Sequence, residues 1–226
     1  MKQVKFLALL TLLVFAGTPV LRADEDDRNR ASKEIEISDY DVLEVNLPCD
    51  VHYVPTLFSA KMKIVADKES SLDYILVEQD GNTLVLSLDK EARLKRLGEV
   101  DVYVSSRKLR SVSVNGACDF EAEQGIRCDD SFNMKVNGAG DADIHGLHAD
   151  EVTVRVNGAG DLDIDGLNCK SLILTINGAG DAELHGTAKE ADIKINGAGD
   201  VDIVDLKVDK LSSSVNGVGK VRSKRR

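Results

Sequence analysis

The chain is predicted to be all-β, a single-domain parallel β-helix of coils about 20 residues long with an N-terminal strand and hairpin region. Three observations predict it. One turn recurs six times: Asn115-Gly116-Ala117-Cys118-Asp119, then Asn-Gly-Ala-Gly-Asp starting at Asn137, Asn157, Asn177 and Asn196, then Asn-Gly-Val-Gly-Lys at Asn216. The intervals are 22, 20, 20, 19 and 20 residues, and a near-fixed period of this size marks a solenoid whose repeats stack. Both arms flanking the turn alternate apolar and polar with period 2, which strands require and helices do not. The apolar residues are mainly Val, Ile, Leu and Ala, with no Trp and 4 Tyr, as suits a close-packed β core.

Taken in order, residues 1–23 read as a signal peptide: Lys2 and Lys5, an apolar run from Phe6 to Ala16, then Gly17 and Pro19, with cleavage after Ala23. The rival reading, an uncleaved anchor, needs a longer apolar run and is followed at once by Asp24-Glu25-Asp26-Asp27. No transmembrane segment is expected after cleavage. Export to the periplasm, the outer surface or the medium is therefore expected. Removing Lys2, Lys5 and Arg22 moves the formal charge from −10 to −13. So acidic a chain is unsuited to nucleic acid or to direct binding of anionic lipid.

Residues 24–34 are charged and expected to be flexible. The domain is expected over residues 35–220, with repeats at 111–220 and a basic tail at 221–226. Short strands are expected at Ile35–Ile37, Val42–Val45, Val51–Val54 and Met62–Val65, with a helical turn near Ser70–Tyr74. Ile75–Val77 and Leu84–Leu88 flank Gln79-Asp80-Gly81-Asn82, a hairpin signal. Lys90–Gly98 is a charged connection, and Val100–Val104 restarts the alternation.

Within the repeats, residues one, three and five before each Asn point inward, as with Val156, Val154 and Val152. Beyond the turn, Ala142 and Ile144, Leu162 and Ile164, Ala182 and Leu184, and Val201 and Ile203 do the same. Two five-residue strands and two turns then fill each coil. The glycines at the second and fourth turn positions (Gly116; Gly138, Gly140; Gly158, Gly160; Gly178, Gly180; Gly197, Gly199; Gly217, Gly219) are read as supplying positive φ at the corner. The Asn residues fall in one column and are expected to form an amide ladder. Gly146, Gly166 and Gly186 mark the second corner. No helix follows these glycines, so a phosphate-binding role is not expected.

The repeated Val/Ile-Asn-Gly-Ala-Gly-Asp turns, set after strand pairs and a signal peptide, resemble the bacterial "putative auto-transporter adhesin, head GIN domain" family. The resemblance spans roughly residues 35–220 and rests on six turns in register. It implies a β-helical exported domain of a bacterial envelope. Its name says little about a ligand.

The sharpest functional feature is acidic. Four residues after each Asn stand Asp119, Asp141, Asp161, Asp181 and Asp200; six after stand Glu121, Asp143, Asp163, Glu183 and Asp202. Two columns of carboxylates thus share one outward face, with coils about 4.8 Å apart. Neighbouring charges at that spacing repel by about 0.9 kcal/mol even at the dielectric of water. The final coil puts Lys220 and Arg222 in these columns, an electrostatic cap. The face reads as a dock for a basic protein surface or another envelope component, as a calcium site, or as a solvated face kept acidic for solubility. No other cofactor is expected. Eight residues after the Asn, Glu123, His145, Asp165, His185 and Val204 form a column whose histidines could hold a transition metal or sit as surface residues near a corner.

Val45-Asn46-Leu47-Pro48-Cys49-Asp50-Val51 aligns with Val114-Asn115-Gly116-Ala117-Cys118-Asp119-Phe120. If residues 42–54 form the coil beneath 111–123, Cys49 faces Cys118, a candidate disulfide in an oxidising compartment. Cys128 and Cys169 lie two coils apart and read as unpaired core residues.

Three functions compete. A non-catalytic envelope or surface protein, adhesin-like, fits the uniformity of the coils, because catalysis needs one unlike constellation. A calcium-dependent module rests on the carboxylates alone. A polysaccharide-active enzyme has against it the small size and the scarcity of aromatic residues, and no catalytic residue is assigned. An uncovered coil end could also mediate self-association.

Overall fold

A computed structural model describes residues 30–90, 92 and 97–224. The expected signal peptide, most of the flexible segment and the last two residues of the basic tail lie outside the described residues. The described chain forms sixteen strands and one short helix. In order they are β1 (Ala31–Ile35), β2 (Val42–Asn46), β3 (Cys49–Pro55), β4 (Lys61–Ala66), α1 (Glu69–Leu72), β5 (Ile75–Asp80), β6 (Thr83–Leu88), β7 (Val100–Ser106), β8 (Ser111–Gly116), β9 (Cys118–Ala122), β10 (Ile126–Arg127), β11 (Ser131–Gly138), β12 (Ala142–His148), β13 (Glu151–Gly158), β14 (Leu162–Ala179), β15 (Ala182–Ile203) and β16 (Leu206–Ser223).

Parallel ladders stack these strands into the expected solenoid. The arm that ends on the turn Asn runs β6-β2-β8-β11-β13-β14 and continues into β15 and β16. The acidic arm runs β7-β3-β9-β12-β14 and continues the same way. Residues expected to point inward are buried throughout: Val152, Val154 and Val156 are at most 2% exposed, and Leu162 and Ile164 at most 1%. Phe120 and Phe132 fill the axis where the repeats begin.

Three features differ from the expectation. First, besides the expected strands and hairpin, the N-terminal region carries two coils, the nearer being the one raised by the cysteine alignment. β2 and β3 form one coil, and β6 and β7 form the coil beyond it, so the solenoid extends past the repeats. Antiparallel β5 covers one ladder at that end, and antiparallel β4 and β1 extend the other. β1 occupies Ala31–Ile35 rather than Ile35–Ile37, and it uses residues of the segment expected to be flexible. Its side chains are mostly exposed, so alternation leaves little trace there.

Second, successive coils of the repeat region share a third, short arm. Ile126, Leu147 and Leu167 stack in register at its start, each at most 1% exposed. In β14, β15 and β16 the ladder passes around the corners, so strands of 18, 22 and 18 residues replace the expected five-residue pairs. The 19-residue interval is absorbed at this second corner, where the register shifts between Ile164 and Leu167.

Third, the two turn glycines serve different needs. Those at the second position have positive φ, for example +149° at Gly158. Gly160, at the fourth position, is not in the left-handed region; a Cβ there would lie 2.1 Å from the Gly140 carbonyl oxygen. Close approach of coils, not φ, demands that glycine.

The Asn column is a continuous amide ladder. Nδ2 donates to Oδ1 of the coil before it from Asn216 through Asn196, Asn177, Asn157, Asn137 and Asn115 to Asn46, at 2.7–3.0 Å. At the far end β16 pairs only with β15, and Leu211 and Val215 are 42% and 38% exposed. This is the uncovered coil end on which the self-association expectation rests.

Candidate functional site

Parallel register places both acid columns as the spacing implies, because paired residues of successive coils share a face. The columns nevertheless do different work. In the first, Oδ1 of each Asp accepts the backbone N–H of the residue one coil on: Asp119 from Asp141, Asp141 from Asp161, Asp161 from Asp181, Asp181 from Asp200 and Asp200 from Lys220, at 2.7–3.1 Å. These carboxylates hold coil to coil. A charged acceptor on an amide is among the stronger protein hydrogen bonds, contributing about 1.5–3 kcal/mol.

The second column is tied at its two ends. Glu121 Oε2 lies 2.9 Å from His52 Nδ1. At the other end Asp202 accepts the Val204 N–H at 2.9 Å and meets Arg222 at 3.5 Å. Arg222 and Lys220 also reach Asp200, at 3.1 and 3.3 Å, so the last coil caps the acid columns with bases as expected. Between the ends, among the described residues, the carboxylates of Asp143 and Glu183 meet only the imidazoles of His145 and His185, at 3.3 and 3.1 Å. The Asp163 carboxylate has no hydrogen-bond or ion-pair partner among the described residues. Burial, then the charges of Asp143 and Glu183, push its carboxyl above the usual range. The columns line an open groove of about 430 Å³ that ends at Arg222.

The histidine column does not converge on one point. His145 turns to Asp143, while His185 sits 3.1 Å from Glu183 and 3.7 Å from Asp165. Among the described residues, no group of three or more His, Cys, Asp or Glu side chains is arranged to hold a metal ion.

The cysteine alignment places residues correctly. Val45 pairs with Val114, Cys49 with Cys118, Asp50 with Asp119 and Val51 with Phe120. The two buried thiols face each other with Sγ atoms 3.7 Å apart. The contact with Cys118, then burial, holds the Cys49 thiol strongly protonated. Cys128 and Cys169 are buried in the third arm, where burial pushes each thiol up to about 11.

The same register carries a cluster that sequence reasoning missed. His52 lies opposite Glu121 and Tyr103, its Nε2 is 3.1 Å from Asp101 Oδ1, and its ring stacks on Tyr103 at 4.7 Å. Arg30 bridges Asp67 and Asp101 at 2.8 and 2.5 Å. The hydrogen bond to Asp101, with the charge of Glu121, raises the His52 pKa against the opposing effect of burial. Burial pushes Asp101 up, but His52 and Arg30 outweigh it and hold its carboxyl below the usual range. Asp50 is raised by burial and by Asp101 and Asp119. Counting three residues on from each aligned cysteine reaches His52 and Glu121, so the signal was present in the alignment.

A family model described as "putative auto-transporter adhesin, head GIN domain" matches residues 39–224. Among solved structures, the chain is similar to a putative adhesin from Bacteroides fragilis at 19% identity and TM-score 0.70, over 87% of this chain and 97% of that one. It is also similar to a putative adhesin from Parabacteroides merdae at 16% identity and TM-score 0.53, over 88% and 98% of the two chains. A putative lipid binding protein from Parabacteroides distasonis gives 14% identity and TM-score 0.58, over 88% and 96%. At such identities the likeness shows the fold alone. A comparison with curated protein sequences finds no match.

Proposed function

The chain belongs to the putative auto-transporter adhesin, head GIN domain family, and from that premise we propose a non-catalytic, exported protein of a bacterial envelope that offers its second acid column to a basic partner surface. One observation carries this reading: the middle of that column, Asp143-Asp163-Glu183, is charge-crowded and, among the described residues, meets no Lys or Arg, only two imidazoles. A cationic partner would relieve repulsion that, within the described residues, meets a guanidinium only at the Arg222 end of the column. Lys or Arg on such a partner would pair with rigid, evenly spaced carboxylates, so little order is lost on binding.

Uniformity supports binding over catalysis, since successive coils repeat one pattern. Export is supported by the residue 1–23 pattern and by membership of an adhesin-named family. No helix among the described residues is long and apolar enough to cross a membrane.

The test is capture from bacterial envelope extract by the intact chain and by the Asp143→Asn/Asp163→Asn/Glu183→Gln variant. The intact chain is expected to retain basic components that salt elutes, because exposed ion pairs are screened beyond about 8 Å at physiological ionic strength. The variant is expected to retain far less. Equal retention by both would remove the acidic face from the function.

A further inference from the structure

Away from the acid columns, the end of β3 and the start of the third arm enclose a groove of about 470 Å³. Arg107, Arg127, His145, His148 and Gln124 line it, and among the described residues no carboxylate does. In a chain with 39 acidic against 29 basic residues, this is a local reversal of charge. Arg127 and His148 are register partners, so both leave the third arm on the same side, one coil apart. Neither their side chains nor that of Gln124 has a hydrogen-bond or ion-pair partner among the described residues. Arg107 is already engaged with Asp39, which leaves Arg127 as the unengaged guanidinium.

The rim is apolar and held in place. In the β3–β4 loop, Phe58 N–H donates to Thr56 Oγ1 at 3.1 Å, and Ala60 N–H donates to Asp39 Oδ1 at 3.2 Å. The loop thereby presents Leu57, 91% exposed, with Pro55 on the wall of the groove beside the cationic lining. An exposed apolar wall next to unpaired donors is the pattern of a ligand site, since small-molecule sites combine apolar walls with a few placed polar groups.

We propose that this groove binds an acidic sugar residue of a carbohydrate chain, its carboxylate or phosphate held by Arg127 and His148 and its ring lying against Leu57 and Pro55. A guanidinium fork matches either anion with two parallel hydrogen bonds. Gln124 adds an amide able to serve ring hydroxyls, and the C–H face of a sugar suits an apolar wall. An anionic bilayer is a poorer fit. The net charge of −10 opposes approach of the whole molecule to a negative surface, whereas a single sugar feels mainly charges within about 8 Å. The inference goes beyond the acidic-face reading and does not depend on it.

Titration calorimetry of the intact chain tests it with four probes: a galacturonate trisaccharide, a mannose-6-phosphate oligosaccharide, a neutral galactose trisaccharide and phosphatidylglycerol vesicles. Binding of the first or second identifies the source of the anion, and the neutral sugar is expected to bind at least about tenfold more weakly. Arg127→Gln and Leu57→Ala are each expected to weaken binding by about tenfold, and Arg127→Lys by less. Arg155→Gln, at an exposed outward position on the neighbouring arm, is expected to change nothing. The proposal is overturned by equal binding of neutral and acidic sugars, by an unaffected Arg127→Gln variant, by binding to vesicles alone, or by no binding at millimolar sugar.

Discussion

Replacing Gly158 with alanine is expected to destabilise the protein by about 4 kcal/mol or more, enough to threaten folding altogether. Two costs add. The backbone stands at φ +149°, a conformation L side chains rarely adopt, and the new Cβ would lie 1.9 Å from the Gly138 carbonyl oxygen. That oxygen accepts the Ala159 N–H at 2.8 Å, so it cannot retreat without breaking the link between coils. Neighbouring corners repeat the contact: Gly178 would meet Gly158, and Gly197 would meet Gly178, so strain at one corner has no slack to dissipate into. Gly81→Ala is the control. Gly81 also has positive φ, +56°, but nothing lies within 4 Å of its new Cβ, and a loss of only about 1 kcal/mol is expected. Urea unfolding of the two variants decides the matter; similar losses would show that φ alone, and not coil contact, sets the cost.

Oxidation of Cys49 and Cys118 to a disulfide is expected to add about 4 kcal/mol, the loop-closure value for partners 69 residues apart. The thiols need only side-chain rotation to bond, because adjacent strands already bring the backbones within disulfide range. The link would join the coil of β2 and β3 to the first repeat and so oppose fraying of the N-terminal coils. Melting with and without dithiothreitol measures it. A large drop on reduction, absent in Cys118→Ser, is expected of protein recovered from an oxidising compartment. Four free thiols in such protein, with no response to reductant, would contradict both the bridge and the export that favours it.

Much of the solenoid was legible because its constraints repeat. The Asn ladder, the inward columns and the pairing of Cys49 with Cys118 follow from counting along the chain, since parallel register is fixed once one column is recognised. The third arm was hidden because it is short and its inward residues, such as Leu147 and Ala149, lie close to a glycine corner that reads as a turn. The close-approach role of Gly160 was hidden for another reason: sequence shows that a glycine is required but not whether φ or space requires it. Among candidate site residues, both acid columns were visible, yet their division of labour was not. Only the hydrogen bond from each Asp of the first column to the following coil reveals that those carboxylates serve the fold. The Arg127 groove was illegible because residues 53–57, 107, 124–127 and 145–148 meet through stacking of distant segments.

The division between the columns is most directly tested by two triple variants, each read for stability in urea and for retention on a polylysine surface. Asp141→Ala/Asp161→Ala/Asp181→Ala removes three carboxylates that bind backbone amides, and a loss of several times about 1.5 kcal/mol is expected. Asp143→Ala/Asp163→Ala/Glu183→Ala removes crowded charge, so stability is expected to hold or rise slightly while retention collapses. Loss of stability in the second variant with retention intact would contradict a fold-holding column beside a partner-facing one.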